Sequence, residues 1–321
     1  MMERLPDSGV DLIGDVHGCG VLLARLLETM GYRRCRGVWC HPSRYTVFLG
    51  DLIDRGPEVR QALEIVYRMV ESGRAQVVLG NHELRALREC LPAAPGRAPA
   101  PPPGSRGAWI MQATLEQFRD APALWGRYLE WFLEMPLCIE SDTFRVAHAL
   151  WDEALLRSFI EKRPDGRIDR DFLARAAEPG SIEQRTLDRT TRGVQLPLPE
   201  DRVVHARDGF IRKSFRAHFW AEAPVTRGDV IFQPDPLPGA LEACPLTDDE
   251  RARLVFYAPD ERPLFVGHYW REGVPALPTG NIACLDYSAV RSGRLVAYRF
   301  DGERQLDARR FCWVSTRETA P

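Results

Sequence analysis

The sequence predicts an α/β fold, because short apolar stretches alternate with stretches whose apolar residues recur at helical spacing. The first apolar stretch covers residues 10–13. Apolar residues from Val21 to Met30 then recur every three or four positions, and Gly31 ends the pattern. A strand, a turn and a helix therefore open the chain, which is the repeating unit of an α/β protein.

Two more units of this kind follow. Residues 45–49 predict the second strand, and Pro57 begins a helix whose apolar face ends at Gly73. Residues 76–79 predict the third strand, and residues 83–90 predict a helix that Pro92 terminates. Successive strands separated by helices favour a parallel arrangement of these three strands.

The remainder of the chain is less regular. Residues 91–107 hold six prolines and three glycines, which predicts a surface loop or semi-rigid linker. Aromatic-rich helices are expected over residues 108–134, and a hairpin about Ser141 over residues 137–148. Short charged helices near residues 152–161, 167–177 and 181–191 belong to an irregular insertion, about 151–262, expected beside the active site. Residues 282–286 and 295–300 predict closing antiparallel strands.

Composition indicates a globular protein with a sizeable core. The chain has 321 residues, of which 45% are hydrophobic, so we expect one domain over residues 1–321 with insertions rather than two domains. A net charge of −2 gives no general attraction to nucleic acid or membrane. No apolar run approaches the about 18 residues that span a bilayer, and the first polar motif begins at residue 14, before a signal peptide would end. We therefore expect a cytoplasmic protein.

The eight cysteines are scattered and include no Cys-x-x-Cys pair. This spacing argues against a zinc ribbon. In a cytoplasmic protein the thiols are expected to be reduced.

A short polar motif follows each of the first three predicted strands. The motifs are GDVHG at residues 14–18, GDLIDRG at residues 50–56 and GNHE at residues 80–83. Because α/β sheets place their sites at the carboxyl ends of strands, we expect the three motifs to lie close together. They supply carboxylate, imidazole and amide groups and no thiolate, the donors that hard or borderline divalent cations prefer.

The spacing within the motifs suggests individual roles. Asp15 and His17 are two positions apart on an extended backbone, so both side chains can reach one ion. Asp51 has two carboxylate oxygens and can bridge that ion to a second one, which Asn81 would also bind. Such pairs of ions activate water and polarise phosphoryl groups. The sequence therefore predicts a two-metal phosphoesterase site.

Three further residues suit the chemistry of phosphoryl transfer. His82 is the predicted proton donor to the leaving oxygen, because imidazole changes charge near neutral pH. Asp54 is its predicted partner, since a nearby carboxylate orients the ring and raises its pKa. Arg55 is predicted to bind phosphate oxygens with its planar guanidinium group. Glu83 is interpreted as a first-turn acid or a partner of a ligand rather than a ligand.

The three motifs, in this order, resemble those of the phosphoprotein phosphatase branch of the calcineurin-like metallophosphoesterases. The pattern of that branch is GD-x-HG, GD-x-x-DRG and GNHE, and all 13 specified positions match. The resemblance implies a four-layer α/β/β/α sandwich, with two mixed sheets flanked by helices. It also implies two divalent ions per chain, with Mn expected and Fe, Zn, Co or Ni compatible.

The family also needs two later histidines on the second ion. His148 and His268 each end an apolar stretch, as strand-end ligands would, and the resemblance implies this pair. His41, His205 and His218 are interpreted as structural. Eukaryotic members usually have His-Gly-Gly, whereas here Ala149 and Leu150 follow His148. The chain is thus more similar to bacterial and phage members, such as the bacteriophage lambda phosphatase and the symmetrical diadenosine tetraphosphate hydrolases.

Two later features match the family less well. Residues 285–289 resemble its Leu-Asp-x-Gly segment, but Ser288 replaces the glycine. The second phosphate-binding arginine has no motif, and Arg212 and Arg216 are candidates because they lie between His148 and His268. A solvated basic face is the alternative interpretation of this arginine pair.

The resemblance implies direct hydrolysis of phosphate monoesters by a hydroxide between the two ions, without a phosphoenzyme. A serine/threonine protein phosphatase is the first functional hypothesis. A dinucleoside polyphosphate hydrolase, with diadenosine tetraphosphate as an example, or a phosphodiesterase is the second. A catalytically inactive binding module is a third, against which the intact set of acids and histidines argues. The expected partner is therefore a phosphorylated protein or a nucleotide, and nothing in the sequence indicates an oligomeric state.

Overall fold

The computed structural model describes residues 9–91, 104–199, 202–205, 211–232, 237, 239–291 and 293–315. The strands are β1 (Gly9–Ile13), β2 (Arg33–Cys35), β3 (Val38–Cys40), β4 (Arg44–Phe48), β5 (Ala75–Val77), β6 (Cys138–Glu140), β7 (Arg145–Ala147), β8 (Val194–Pro197), β9 (Val204–His205), β10 (Ile211–Arg212), β11 (Ser214–Ala217), β12 (Leu264–Val266), β13 (Ile282–Cys284), β14 (Asp286–Tyr287), β15 (Arg294–Phe300) and β16 (Phe311–Ser315).

The helices are α1 (Gly20–Thr29), α2 (Val59–Glu71), α3 (Asn81–Cys90), α4 (Arg106–Ile110), α5 (Gln112–Gln117), α6 (Pro122–Glu134), α7 (Glu153–Lys162), α8 (Arg170–Arg175), α9 (Ile182–Arg192), α10 (Gly239–Glu242) and α11 (Asp248–Arg253). A 3₁₀ turn covers Ala308–Arg310. Within the described part of the chain, every helix is too short or too polar to cross a membrane.

The first sheet has the strand order β14-β15-β1-β4-β5, and β16 also pairs with β15. Strands β1, β4 and β5 are parallel, with Leu12 opposite Val47, whereas β15 runs antiparallel to β1. The parallel strands are the three predicted from the strand–helix units. Their carboxyl ends therefore meet at one edge of the sheet, where the three polar motifs begin.

The second sheet has the order β13-β12-β7-β6. Strands β13, β12 and β7 are parallel, and β6 pairs antiparallel with β7 in the hairpin predicted about Ser141. Both sheets are therefore mixed, as expected.

The two sheets pack face to face. One buried cluster combines Leu12 and Val47 of the first sheet with Val146 and Phe265 of the second. Ile13, which points the other way from β1, belongs to a cluster with residues of helices α1 and α2. The same cluster joins residues of α7 and α9 to side chains on the outer side of the second sheet. The predicted α/β/β/α layering is thus confirmed.

Most predicted elements are present, with two corrections. Helices α7, α8 and α9 occupy the three predicted helical stretches of the insertion. The expectation that residues 282–286 form an antiparallel strand was wrong for Ile282–Cys284, which pair parallel with β12. The chain then passes to the first sheet, where β14 is antiparallel to β15. An apolar run has the same appearance in both arrangements, so the sequence could not distinguish them.

The proline-rich segment, predicted as a loop over residues 91–107, lies mostly outside the described residues. Its end is helical, because α4 begins at Arg106. The Ser105 side chain accepts a hydrogen bond from the Ala108 amide at 3.1 Å and so caps this helix. The loop prediction was therefore two residues too long at this end.

Cys35 and Cys40 correct the expectation that all thiols are reduced. The β2–β3 hairpin brings their Cα atoms to 6.3 Å, and the two residues form a disulfide. The other six cysteines are free. The search for Cys-x-x-Cys pairs did not show the pairing, because the two cysteines are five positions apart and meet only through the two-residue turn at Arg36-Gly37.

A buried ion pair fixes the start of β1 to its neighbours. Asp11 is fully buried and accepts hydrogen bonds from Arg44 Nε at 2.6 Å and Tyr32 Oη at 2.9 Å. Arg299 Nε lies 3.3 Å from the same carboxylate. Asp11 therefore links β1 to β4, to β15 and to Tyr32, three residues after the end of α1.

We predict that Asp11→Ala lowers the free energy of unfolding by about 3 kcal/mol, because it leaves buried donors without their acceptor. Urea denaturation of the metal-free protein measures this change. Asp120→Ala is the matched control, since Asp120 pairs with Arg60 on the surface and its loss should cost less than about 1 kcal/mol. Equal effects of the two substitutions would contradict this account.

Candidate metal centre

The predicted ligands meet where the parallel strands of both sheets end. Each of them is at least nine-tenths buried. Those from the first sheet are Asp15 and His17 after β1, Asp51 after β4 and Asn81 at the start of α3; those from the second are His148 after β7 and His268 after β12. Donor atoms of His17, Asp51 and His82 lie within 4.8 Å of one another, and so do those of Asp15, Asp51 and His148.

Asp51 is the residue common to both groups. Its Oδ2 lies 3.6 Å from His17 Nε2, and its Oδ1 lies 3.5 Å from His148 Nε2. Burial alone would raise the pKa of Asp51, but the surrounding imidazoles, above all His148, lower it well below its usual value. Burial and the charge of Asp286 raise the pKa of Asp15 well above its usual value. One edge of the molecule thus concentrates buried carboxylates.

The hydrogen bonds of two histidines test whether a cation fits here. His148 Nδ1 donates to the Leu49 carbonyl at 2.6 Å, and its Nε2 lies 3.1 Å from Asn81 Oδ1. His268 Nε2 donates to the Arg192 carbonyl at 3.1 Å, and its Nδ1 lies 2.6 Å from the same amide oxygen. In neutral rings, both inward nitrogens are acceptors that face another acceptor. A divalent cation would be bound by both ring nitrogens and by the Asn81 amide oxygen, so the donor set fits a metal site.

The pKa of His148 also indicates a place for positive charge, which a proton on the ring supplies when no metal ion is bound. Burial opposes a charged imidazole, yet the Asp51 carboxylate raises the pKa of His148 to about 10. The surroundings of this ring therefore favour a positive charge.

The loops that carry the site have unusual backbone conformations. Non-glycine residues with φ in the left-handed region include His17 (43°), Asp51 (50°), Asp54 (69°), Arg55 (68°) and His268 (60°). Such conformations cost free energy, and they persist where the surrounding structure enforces them, most often at functional sites. Close approach adds a further constraint at Gly267, where a Cβ would lie 1.9 Å from Asp15 Oδ1.

Glu83 fixes the loop that carries Asp51. Its carboxylate accepts hydrogen bonds from the amides of Asp51 and Leu52 at 2.8 Å each and from that of Ile53 at 3.3 Å. It also lies in the first turn of α3. Both interpretations made from the sequence therefore apply. Burial and the nearby Asp51 charge raise the pKa of Glu83 to about 7.

His82 and Asp54 form the predicted pair. His82 Nδ1 lies 2.5 Å from Asp54 Oδ2, so its Nε2 points towards Asp51 Oδ2, at 3.9 Å. The sequence predicted a raised pKa for His82, and this was wrong in the structure. Burial lowers the pKa of His82 well below its usual value, and the guanidinium groups of Arg55 and Arg85 act in the same direction.

Thr114 is a member of this group that the sequence analysis missed. Its hydroxyl donates to Asp54 Oδ1 at 2.6 Å and accepts from the Asp54 amide at 3.0 Å. Thr114 lies on α5, far along the chain and outside any motif, so no sequence signal indicated it. It fixes the carboxylate that in turn orients His82.

Comparison with known proteins identifies the family. Residues 10–196, more than half of the chain, match the family model for calcineurin-like phosphoesterases. The chain belongs to this family. It is accordingly a hydrolase, and the His and Asp clusters described above fit the two divalent ions that metallophosphoesterases bind.

Curated relatives of this phosphoesterase carry a more specific name. The chain is 33% identical over 148 residues to an asymmetrical bis(5′-nucleosyl)-tetraphosphatase PrpE of Geobacillus sp. (strain WCH70), covering 44% of this chain and 56% of that protein. It is 45% identical over 73 residues to the enzyme of the same name from Halalkalibacterium halodurans, covering 22% and 30%. The chain thus spans about half or less of the length of these relatives.

One solved structure shows the same fold over nearly the whole phosphoesterase. A protein serine/threonine phosphatase from Saccharomyces cerevisiae superimposes with a TM-score of 0.54 and 13% identity, covering 97% of this chain and 80% of that one. At this identity the likeness concerns the fold alone.

Several arginines surround the centre of the phosphoesterase. Arg55 is exposed, and its guanidinium group lies 3.0 Å from His17 Nε2 and 3.3 Å from His82 Nε2. Arg216 donates to the His268 carbonyl at 2.7 Å, so it contacts a predicted ligand. Arg212 lies on β10, close enough for its charge to act on Arg216. The structure thus brings Arg55 and Arg216 to the site more directly than Arg212.

Arg192 and Asp286 were missed as candidate site residues. The Arg192 carbonyl accepts a hydrogen bond from His268. Burial lowers the pKa of the Arg192 guanidinium group, and the charge of Asp51 also acts on this group. Asp286 lies on β14, and its charge raises the pKa of Asp15. The Leu285-Asp286 segment was a usable signal for Asp286, whereas Arg192 depends on a contact between distant elements.

We predict that Thr114→Val lowers kcat by roughly 10- to 100-fold, because Asp54 loses the donor that positions it. Metal content should be unchanged, since the Thr114 hydroxyl bonds Asp54, which is not a predicted ligand. Steady-state kinetics and elemental analysis measure the two quantities. Thr186→Val is the control, because this buried hydroxyl donates to the Ile182 carbonyl of its own helix, at 2.7 Å. Similar kinetic losses in both variants would count against a role for Thr114.

Proposed function

We propose that this phosphoesterase hydrolyses dinucleoside polyphosphates with the help of two divalent ions, of which Mn²⁺ is the expected species. The observation that carries the reaction is the position of the Asp51 carboxylate between two groups of donors, beside the His82–Asp54 pair. The substrate class is supported by the relatives, which are named bis(5′-nucleosyl)-tetraphosphatases.

The proposed ligands fall into two sets. Asp15, His17 and Asp51 would hold the first ion, and Asp51, Asn81, His148 and His268 would hold the second. Fe, Zn, Co and Ni suit the same mixture of nitrogen and oxygen donors. When bound, the ions supply the Lewis acidity that activates water and polarises the phosphoryl group.

The side chains of the phosphoesterase supply the remaining steps. Arg55, at the exposed side of the centre, binds phosphoryl oxygens and offsets charge as the reaction proceeds. Asn81 contributes its amide N–H to the same phosphate. Arg192 and Arg216 approach His268 and provide further positive charge, which a chain of several phosphates needs more than a single phosphoryl group does. Arg212 is the more distant member of this set.

His82 completes the reaction in this proposal. Its Nδ1 is held by Asp54, and its Nε2 faces the centre. Burial lowers the pKa of His82, so we propose that the negative charge of a bound phosphoryl group raises this pKa and protonates the ring, whose Nε2 then gives its proton to the leaving oxygen. The His82–Asp54 pair also supports the second candidate function, that of a serine/threonine protein phosphatase. The leaving group of such a substrate is an alkoxide, which depends strongly on a proton donor.

A substrate panel tests the proposed function. Hydrolysis of p-nitrophenyl phosphate, its bis-ester, a phosphothreonine peptide and diadenosine tetraphosphate is measured after the metal is removed and Mn²⁺ is restored. We expect activity that depends on Mn²⁺ and a kcat/KM that is highest for diadenosine tetraphosphate. A preference for the peptide would instead support a protein phosphatase. Inactivity on the whole panel with every metal would support a binding module.

We predict that His82→Ala retains both ions but loses about 10²- to 10⁴-fold in turnover on substrates with poor leaving groups. An alkyl phosphate and p-nitrophenyl phosphate are compared, because p-nitrophenolate leaves without much need for a proton. The loss should be much larger for the alkyl ester. Unchanged turnover of the alkyl ester would remove His82 from the role of general acid.

A further inference from the structure

A two-stranded ribbon of β8 and β11 lies beside the metal centre and has two different faces. Val194 pairs with Ala217 and Leu196 pairs with Phe215, and all four side chains are buried. Gln195 and Arg216 form the pair between them, and they lie on the opposite face. The alternation continues beyond β11, because Phe219 is buried whereas His218 and Trp220 are partly exposed.

His218 and Trp220 stack on each other on this more exposed face. Their ring centroids are 4.8 Å apart, and their planes differ by 10°. Burial lowers the pKa of His218 to about 4, so the stacked imidazole is neutral at physiological pH. Its Nδ1 is buried and has no hydrogen-bond partner among the described residues. A pair that only filled the core would be fully buried, whereas both of these rings are partly exposed.

Aromatic neighbours hold the tryptophan in place. The Trp220 ring lies 5.1 Å from that of Phe219, 5.0 Å from that of Tyr269 and 5.9 Å from that of Phe232, each at a steep angle. These contacts fix the plane of the indole. A ring fixed in this way loses little conformational entropy when a ligand stacks on it.

The stacked pair is close to the metal centre. The Tyr269 ring lies 5.0 Å from Trp220 on one side and 5.6 Å from His268 on the other. Arg216, two residues before His218, donates to the His268 carbonyl and lies 5.9 Å from the Tyr269 ring. A guanidinium group beside the metal centre and a planar aromatic surface therefore follow one another along a single chain segment.

We propose that His218 and Trp220 form the surface on which a nucleobase of the substrate stacks, while Arg216 faces the phosphates between this base and the metal centre. Stacking accepts any base, because every base has a π face. This inference rests on the proposed nucleotide substrate and assigns one of its subsites. His218, interpreted from the sequence as structural, then takes part in binding.

The test compares AMP with ribose 5-phosphate, which differ only in the base. Both are titrated calorimetrically into Mn²⁺-loaded His82→Ala protein, so that hydrolysis does not obscure binding. We expect AMP to bind about tenfold or more tightly, since stacking of one base contributes roughly 1–3 kcal/mol. Equal affinities in this parent protein would overturn the proposal without any further variant.

Substitutions in the same background locate the effect. Trp220→Leu, which keeps an apolar side chain but removes the π face, should bring the ratio of the two dissociation constants close to one. Trp220→Phe should keep a preference of several-fold for AMP. Trp313→Leu is the control, because Trp313 is exposed on β16 and should leave the ratio unchanged. A Trp220→Leu protein that keeps the full preference would refute the role of this ring.

This experiment separates the subsite from the proposed function. A preference for AMP that depends on Trp220, in a protein that does not hydrolyse diadenosine tetraphosphate, would support the base site and contradict the proposed substrate. Hydrolysis of diadenosine tetraphosphate without any preference for AMP would support the proposed substrate and overturn the base site.

Discussion

Buried negative charge is the constraint on which the rest of this structure depends. Asp15, Asp51 and Asp286 lie together at one edge of the sheets and are almost completely buried. Burial removes these charges from water, which is unfavourable in free energy, and repulsion between neighbouring carboxylates makes it more so. Imidazoles offset part of it, and the ring nitrogens of His148 and His268 that face the Asn81 amide oxygen mark a place for positive charge. The proposed pair of divalent ions satisfies this demand.

The fold serves this constraint by bringing strand ends together. Two sheets packed face to face direct the ends of β1, β4, β7 and β12 to one place, so that residues distant in sequence supply donors to one centre. The left-handed backbone of His17, Asp51 and His268 turns each loop sharply as it leaves its strand. Glu83 then holds the Asp51 loop through three amide hydrogen bonds. Strain at the ligands is thus balanced by bonds from the adjacent helix.

Local patterns predicted much of this arrangement. Apolar periodicity predicted the three strand–helix units and the hairpin about Ser141. The motifs contain every residue of the two donor groups except His148, which the family resemblance implied. Long-range contacts account for what was missed. Thr114 reaches Asp54 from a separate helix, and the Arg192 carbonyl reaches His268 from the end of α9. The parallel pairing of Ile282–Cys284 depends on which strand lies next to them, and the lowered pKa of His82 depends on its burial. Neither can be read from the periodicity of the sequence.

The assignment of a dinuclear centre is most directly tested by electron paramagnetic resonance of the protein reconstituted with Mn²⁺, together with its metal content. We expect two Mn²⁺ ions per chain and the spectrum of an exchange-coupled pair, because the Asp51 carboxylate lies between the two donor groups. The spectrum of isolated Mn²⁺, with one ion per chain, would contradict a bridging role for Asp51 and with it the central claim.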